Sequence, residues 1–509
     1  LAAHNHPAIR GQNGSLTRDL ADGLVPPAAP NPVLLSEDNT LLTLAVGALR
    51  TRGETNVIPI STELLKFHVY QRHHELTYGP RWPALAIERL SDPLGDDVVL
   101  QQAMALAVSN RLFYAHPSFG FFFETFHQQP DPPVFSLVFQ TTNTFLAPAL
   151  DDARFQAAHA RWDAIRKRFA EDPVLDRLRE QRVTDASRVA VHYSRSLNYW
   201  GVTLQRLGRA EEASAFFKAA LLLNKDNLAA SINARFNENL RAGRTDSVVV
   251  DKELDDQLGR FRDLPTFLLV SGPVDEPTFC FRLGRVLAQG GLHRQAAYQF
   301  TRALELQPTL LEARAWLANS LLTASLHQDA LRQVELLRTH DSELTDDRKL
   351  DLISIESWAR FHLGDLAAAE KLLADAQRRF PGPTQPLQTL SDIYIAANQT
   401  NAALRTTDLL IERLPNDPRP LITKSAILLQ IGAAQEAADT LNRVLSKDPA
   451  FIPTPAAAAA AAGRAPPATP PPAAIRAALP RRRRRQPPGS AASSSMRFTP
   501  KSLKVGEAS

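Results

Sequence analysis

The sequence predicts a mainly α-helical chain: a solenoid of repeated helix pairs preceded by a small α/β module with a mostly parallel sheet. Three observations predict it. A ladder of large and small residues recurs through residues 194–450, for the most part 34 residues apart. Strand-like and helix-like segments alternate through residues 32–145. After Pro449 large apolar side chains become sparse, so the folded body ends there. With 509 residues and 44% hydrophobic content, the chain is too long for one core and apolar enough to fold.

Residues 1–31, rich in Ala, Pro, Asn and Gly, read as a disordered lead-in. His4 and His6 suggest a metal, but no further ligand follows at usable spacing, so no metal is expected. In the α/β module, residues 32–145, strands are read at Val33–Ser36, Asn56–Ser61, Arg111–His116 and Val134–Gln140. Helices are read at Thr40–Arg50, Glu63–His74 and Asp97–Ser109. Such alternation implies helices packed on a mostly parallel sheet. Residues 146–193 then read as connecting and capping helices, Asp151–Ala170, Pro173–Gln181 and a helix from Ser187.

The ladder is clearest at Cys280-x-x-Leu283-Gly284-x-x-Leu287, followed by Gly291, Ala296, Phe300, Ala303 and Pro308. It recurs at Leu197, Trp200, Gly201, Leu204, Gly208, Ala213, Phe217 and Ala220, and again from Leu421 to Pro449. Repeat starts fall at Ser194, Pro277, Leu311, Leu350, Thr384 and Pro418. Three of the intervals are 34, and the interval of 39 places five extra residues in the polar loop around Asp341–Asp346. A degenerate seventh repeat begins near Leu228, its second half around Val250–Phe261 having lost the pattern. Small residues let the paired helices approach, and Pro308, Pro381, Pro415 and Pro449 end repeats because proline cannot continue a helix. No such repeat buries its apolar face alone.

This spacing of residues resembles the tetratricopeptide repeat (TPR) family over residues 194–227 and 277–449. The resemblance implies stacked antiparallel helix pairs whose first helices line a groove that binds a protein or peptide. The groove residues are then Asn198, Val202 and Gln205, Phe281 and Arg285, Asn319 and Leu322, Trp358 and Phe361, and Gln388 and Asp392. Plain packing between repeats is the competing reading for Trp358 and Phe361. Cys280 occupies a packing position and is expected to be a buried, inert thiol.

Charge is split along the chain. The formal net charge is +4, but residues 451–509 hold ten Lys/Arg and one acid, leaving the rest mildly acidic. The folded body therefore lacks the basic face that nucleic-acid binding needs. The 451–509 tail, with its Ala run, prolines and Arg481–Arg485, reads as disordered and solvated. A single cysteine excludes an intrachain disulfide, and no apolar run reaches the roughly 20 residues that span a bilayer. The chain starts at Leu1 and reads as a piece of a longer protein, so a membrane contact is expected only through an upstream segment.

Phosphate-loop, nucleophile-elbow, H-E-x-x-H and C-x-x-C patterns are absent, so neither a cofactor nor an enzymatic role is expected. His68, His73 and His74 read as surface residues of an exposed helix. The carboxyl ends of the expected strands carry Glu37-Asp38-Asn39, Ser61 and Glu63, and His116 and Ser118. Ligands of α/β sheets bind there, which makes Asp38, Asn39, Ser61 and His116 a candidate pocket. Helix capping by Asp38, Asn39 and Ser61 is the competing reading. Finally, Val33–Thr40, Asn56–Ser61 and Arg111–Pro117 resemble the soluble segment after the membrane spans of bacterial protein-mannosyltransferase-like glycosyltransferases, some of which append TPR arrays. The resemblance implies an extracytoplasmic appendage of a membrane enzyme, with no catalytic residue in this chain.

Overall fold

A computed structural model describes residues 16–447, except 86, 88–89, 132–133, 141–143, 147–149, 172–183, 249–255, 257, 260 and 262. The helix expected at Pro173–Gln181, most of the degenerate second half at Val250–Phe261, and the 451–509 tail thus lie wholly or largely outside the described residues. The chain divides into two compact units, with the boundary after Trp316.

The first unit begins with helix α1 (Leu16–Asp22), whose Leu20 and Ala21, with Leu24 and Val25 just after it, are buried in the core. This corrects the reading of residues 1–31: their described part, from Leu16 on, is not a loose lead-in, because one short apolar face was enough to dock it. Strands β1 (Pro32–Ser36) and β2 (Ile58–Ser61) flank helix α2 (Asn39–Thr51) in sequence. Helices α3 (His68–Tyr78) and α4 (Asp96–Ser109) lead to β3 (Arg111–Tyr114), and β4 (Phe126–Asp131) pairs with β5 (Val134–Phe139). The five-stranded sheet is mixed, in the order β2-β1-β3-β5-β4. β1 pairs parallel with β2 and β3, while β5 runs antiparallel to β3 and β4. The first two strands are apolar up to a closing serine, Ser36 or Ser61, because both faces are covered; every residue of β1 is buried.

An edge strand exposes backbone groups that invite pairing. On β2 these are taken by side chains of α3: the Ser61 N–H donates to the Tyr70 hydroxyl (2.8 Å), and a His74 ring nitrogen lies 3.3 Å from the Pro59 carbonyl oxygen. His74 is therefore not the surface residue that its sequence context suggested. It is buried against Trp82 and Tyr70, and burial lowers its pKa.

Helices α5 (Asp152–Glu171), α6 (Thr184–Arg206) and α7 (Ala210–Leu223) follow. The sheet, α5 and the α6–α7 pair share one hydrophobic core running from Leu20 to Phe217 and Leu223, so the module is no separate bead on the solenoid. Next come α8 (Leu228–Arg241), α9 (Leu264–Ser271), α10 (Pro277–Gln289) and α11 (His293–Leu306). Gly201 and Gly284 sit where paired helices cross: a Cβ on either would lie 2.6 Å from the ring of Phe217 or Phe300. Glu124 caps α11 from outside, accepting the N–H groups of Arg294 and Gln295.

Helix α12 (Leu311–Thr323) carries the unit boundary. The second unit continues with α13 (His327–Arg338), α14 (Asp346–His362), α15 (Leu366–Arg379), α16 (Gln385–Ala396), α17 (Thr400–Arg413), α18 (Arg419–Gln430) and α19 (Ala434–Lys447). Here every repeat is a helix pair, and the five-residue insertion lies at a short 3-10 turn, Asp341–Glu343, that precedes α14. Ala369, Leu373 and Ile393 are among the small and branched residues buried between its helices.

Candidate functional site

The first-helix face of α6 and α8 carries four amides one helical turn or more apart: Asn198, Gln205, Asn233 and Asn237. All four are buried, and each is occupied. Between α9 and α10 the chain runs as a strap, Ser271–Glu276, across this face. Asn198 donates to the carbonyls of Ser271 (3.2 Å) and Pro273 (2.9 Å), and Asn233 donates to the Pro273 carbonyl (2.9 Å) and the Asn198 amide oxygen (2.8 Å). The Asn233 side-chain oxygen accepts the Asp275 N–H (2.8 Å). Gln205 donates to both the backbone carbonyl (3.0 Å) and the carboxylate (2.9 Å) of Asp275, and Asn237 holds Gln205 in place (3.0 Å). At Gly272, φ is +87° and a Cβ would meet Asn198 at 3.0 Å, so the strap enters through a position only glycine fills without strain.

The strap ends in a charged lock. Asp275 is wholly buried, its carboxylate accepting from Arg206 (2.8 Å) and from two nitrogens of Arg302 (2.9 and 2.7 Å). Desolvation alone would raise its pKa, but the two guanidinium groups outweigh it and hold the carboxyl below its ordinary value. The expectation that Asn198, Val202 and Gln205 form an open groove is thereby corrected: all three are buried, and the strap already satisfies both amides. Sequence reasoning found Asn198 and Gln205 but missed Asn233 and Asn237 on the degenerate repeat, and missed the occupant because Ser271–Asp275 has no periodicity of its own.

One helix further on, the face is differently furnished. Phe281, Arg285 and Trp316 are half-buried. The Arg285 guanidinium carbon lies 5.7 Å from the Phe281 ring centroid and 5.5 Å from that of Trp316. In the second unit Asn319 is exposed and Leu322 half-buried. Trp358 and Phe361 meet edge to face (5.8 Å) and lean on the Ala369, Leu373 and Ile393 cluster, so they combine packing with partial exposure. Gln388 is half-buried and bonds Thr384. The Asp392 side chain is reached by water yet crowded enough that desolvation raises its carboxyl to about 6.

The crevice between β1 and β3 is where this sheet's connections reverse direction, the usual ligand site of such sheets. Here it is filled. Glu37 accepts from Tyr114 and Ser118 hydroxyls (both 2.5 Å), and His116 approaches Ser36 Oγ (3.2 Å). Of the candidate pocket residues, Asp38 caps α2 by accepting the Thr40 and Leu41 N–H groups, and Asn39 is exposed. Ser61 is buried beneath Tyr70. Of the four, His116 borders a cavity of about 10 Å³, with Arg161, His192 and Tyr193. That holds one water at most, so the four do not make a pocket. The thiol of Cys280 is buried and raised to about 12 by desolvation and the nearby Asp275, as an inert cysteine should be.

His116 and His192 are both held below the ordinary histidine pKa, first by burial and then by Arg195; Glu37 and Asp38 only partly offset this at His116. A histidine kept neutral in the folded state binds fewer protons than its unfolded counterpart. Stability is thus intact above about pH 6.5 and falls as the pH drops below it. Thermal melts of the full chain should show Tm decreasing between pH 7.5 and 5, with His192→Gln flattening that slope. An unchanged slope would exclude His192 as its source.

Residues 360–427 and residues 201–227 each match a tetratricopeptide-repeat family model. No curated protein matches the sequence. Among solved structures, the chain is similar to a thermophilic TPR protein of Thermus thermophilus, at 23% identity and a TM-score of 0.29, covering 34% of this chain and 92% of that one. It is similar also to a tetratricopeptide repeat protein from Parabacteroides merdae, at 14% identity and a TM-score of 0.32, covering 50% of this chain and 93% of that one.

Proposed function

We propose that this tetratricopeptide-repeat protein is an interaction scaffold that takes an extended segment of a partner protein along the first-helix face of its repeats. The observation that carries the reading is the strap. The α6–α8 face holds the backbone of Ser271–Asp275 by side-chain amides and locks an acidic side chain between arginines. That is peptide recognition performed within one chain. In the second unit the corresponding face presents Trp358, Phe361, Gln388 and Asp392 with no strap over them among the described residues. Aromatic side chains are the usual carriers of interface energy. The reading gives the chain a binding role and no covalent chemistry.

A photo-crosslinking residue placed at Phe361 should capture a partner, whereas the same residue at Leu336, exposed on the second helix α13, should not. Equal capture at both positions, or capture at Leu336 alone, would assign binding to the wrong face. A crosslink from Phe361 to another segment of the same chain, located by peptide mapping, would mean that the face is filled by the chain itself.

A further inference from the structure

We infer that Arg285 anchors a carboxylate, so that the segment bound across α10 is an acidic one contributed by another protein. The inference rests on the scaffold reading and names the chemistry of its partner. Arg285 lies on α10 one turn after Phe281, on the same face of the helix. Its guanidinium is flanked by two aromatic faces, Phe281 and Trp316, which orient it without neutralising it. The Arg285 Nε–H and the Trp316 indole N–H are both covered and have no hydrogen-bond partner. No carboxylate among the described residues pairs with Arg285; its neighbour Arg282 adds a second positive charge to the same stretch of helix, partly offset by Glu276.

Other arginines of this unit have partners: Arg206 and Arg302 share Asp275, Arg209 pairs with Glu212, Arg241 pairs with Glu211, and Arg81, Arg161 and Arg195 donate to backbone carbonyls. A half-buried guanidinium between two rings, with no carboxylate beside it among the described residues, is the half-site of a charge-assisted pair. The strap shows the completed form of that pair a short distance along the same chain, with an extended backbone placing an aspartate against arginine. Residues 451–509 contain ten Lys/Arg and a single acid, the wrong charge for the site.

The experiment is a selection of phage-displayed random dodecapeptides on the immobilised full chain, run in parallel on Arg285→Gln. Circular dichroism and melting of the variant, which keeps a side chain of similar length, check that it folds. The full chain should enrich peptides rich in Asp or Glu, and the variant should not. A synthetic enriched peptide should bind Arg285→Gln at least about tenfold more weakly, the loss expected for one charge-assisted pair. Arg285→Lys should fall between, since it keeps the charge but not the flat, stacked fork. Enriched peptides without an acidic excess, or equal binding to Arg285→Gln, overturn the anchor while leaving the scaffold reading standing. Failure of any peptide to enrich also overturns it; the scaffold reading is then decided separately by the crosslinking contrast between Phe361 and Leu336.

Discussion

Asp275→Ala should destabilise the first unit by about 3–5 kcal/mol, the cost of removing one partner from a buried ionic cluster. The loss is large because of what stays behind. Arg206 and Arg302 have side chains only 17% and 11% exposed, and without Asp275 both remain charged and largely out of water. Gln205 loses a hydrogen bond as well, and the strap is left with its backbone amide contacts alone. Asp275→Asn keeps the shape and one acceptor oxygen but not the charge, so its loss should be intermediate. Urea unfolding of the full chain, followed by far-ultraviolet circular dichroism, measures all three proteins. The pH dependence has a definite sign. A carboxyl held below its unfolded pKa contributes stability that is complete above about pH 4 and is lost as the pH falls through its folded value. The difference between wild type and Asp275→Ala should therefore shrink in strong acid. If Asp275→Ala unfolds at the same urea concentration as the wild type, the amide ladder alone holds the strap.

The repeats were legible in the sequence because each ladder position answers to a single physical demand. Gly284 and Gly201 stand under the rings of Phe300 and Phe217, and Ala296 and Ala303 are fully buried between helices. The parallel strands were legible for a related reason: β1, covered on both faces, is apolar from Pro32 to Leu35. What escaped has no period. β4 reads His-Gln-Gln-Pro over residues 127–130, polar and proline-bearing, and forms only because it is the outer strand of a hairpin, where a missing N–H costs nothing. α1 is a helix of seven residues held by tertiary contacts. At the candidate site, Asn198 and Gln205 were found from the repeat ladder, but Asn233, Asn237 and the strap that the four hold were not. The residues that suggested a mannosyltransferase-like segment serve the sheet and the Asp38 cap. Arg285 was picked out as a groove residue, and the structure adds the two rings that hold it.

A methyl group at Gly284 should cost about 2 kcal/mol, and Gly284→Val about 3 kcal/mol, through overpacking of a crossing that has no slack. The Cβ would stand 2.6 Å from Phe300 Cε1 and 2.7 Å from Cδ1, and the ring is fully buried, so it has nowhere to move. The same substitution at Gly201 meets Phe217 at 2.6 Å and should cost as much. Gly47 provides the contrast. It too lies within a helix, α2, but a Cβ there meets nothing within 4 Å. Gly47→Ala should raise stability by about 0.5–1 kcal/mol, because alanine loses less backbone entropy on forming helix. Both alanine variants gain the same helix propensity, so the opposite signs isolate the crossing. A second contrast locates the strain in one ring. Phe300→Leu alone should destabilise by leaving a void, yet Gly284→Ala with Phe300→Leu should be more stable than the sum of the two losses by about 1 kcal/mol. Strict additivity of the pair would mean that the penalty at Gly284 arises from the backbone and not from the ring packed over it.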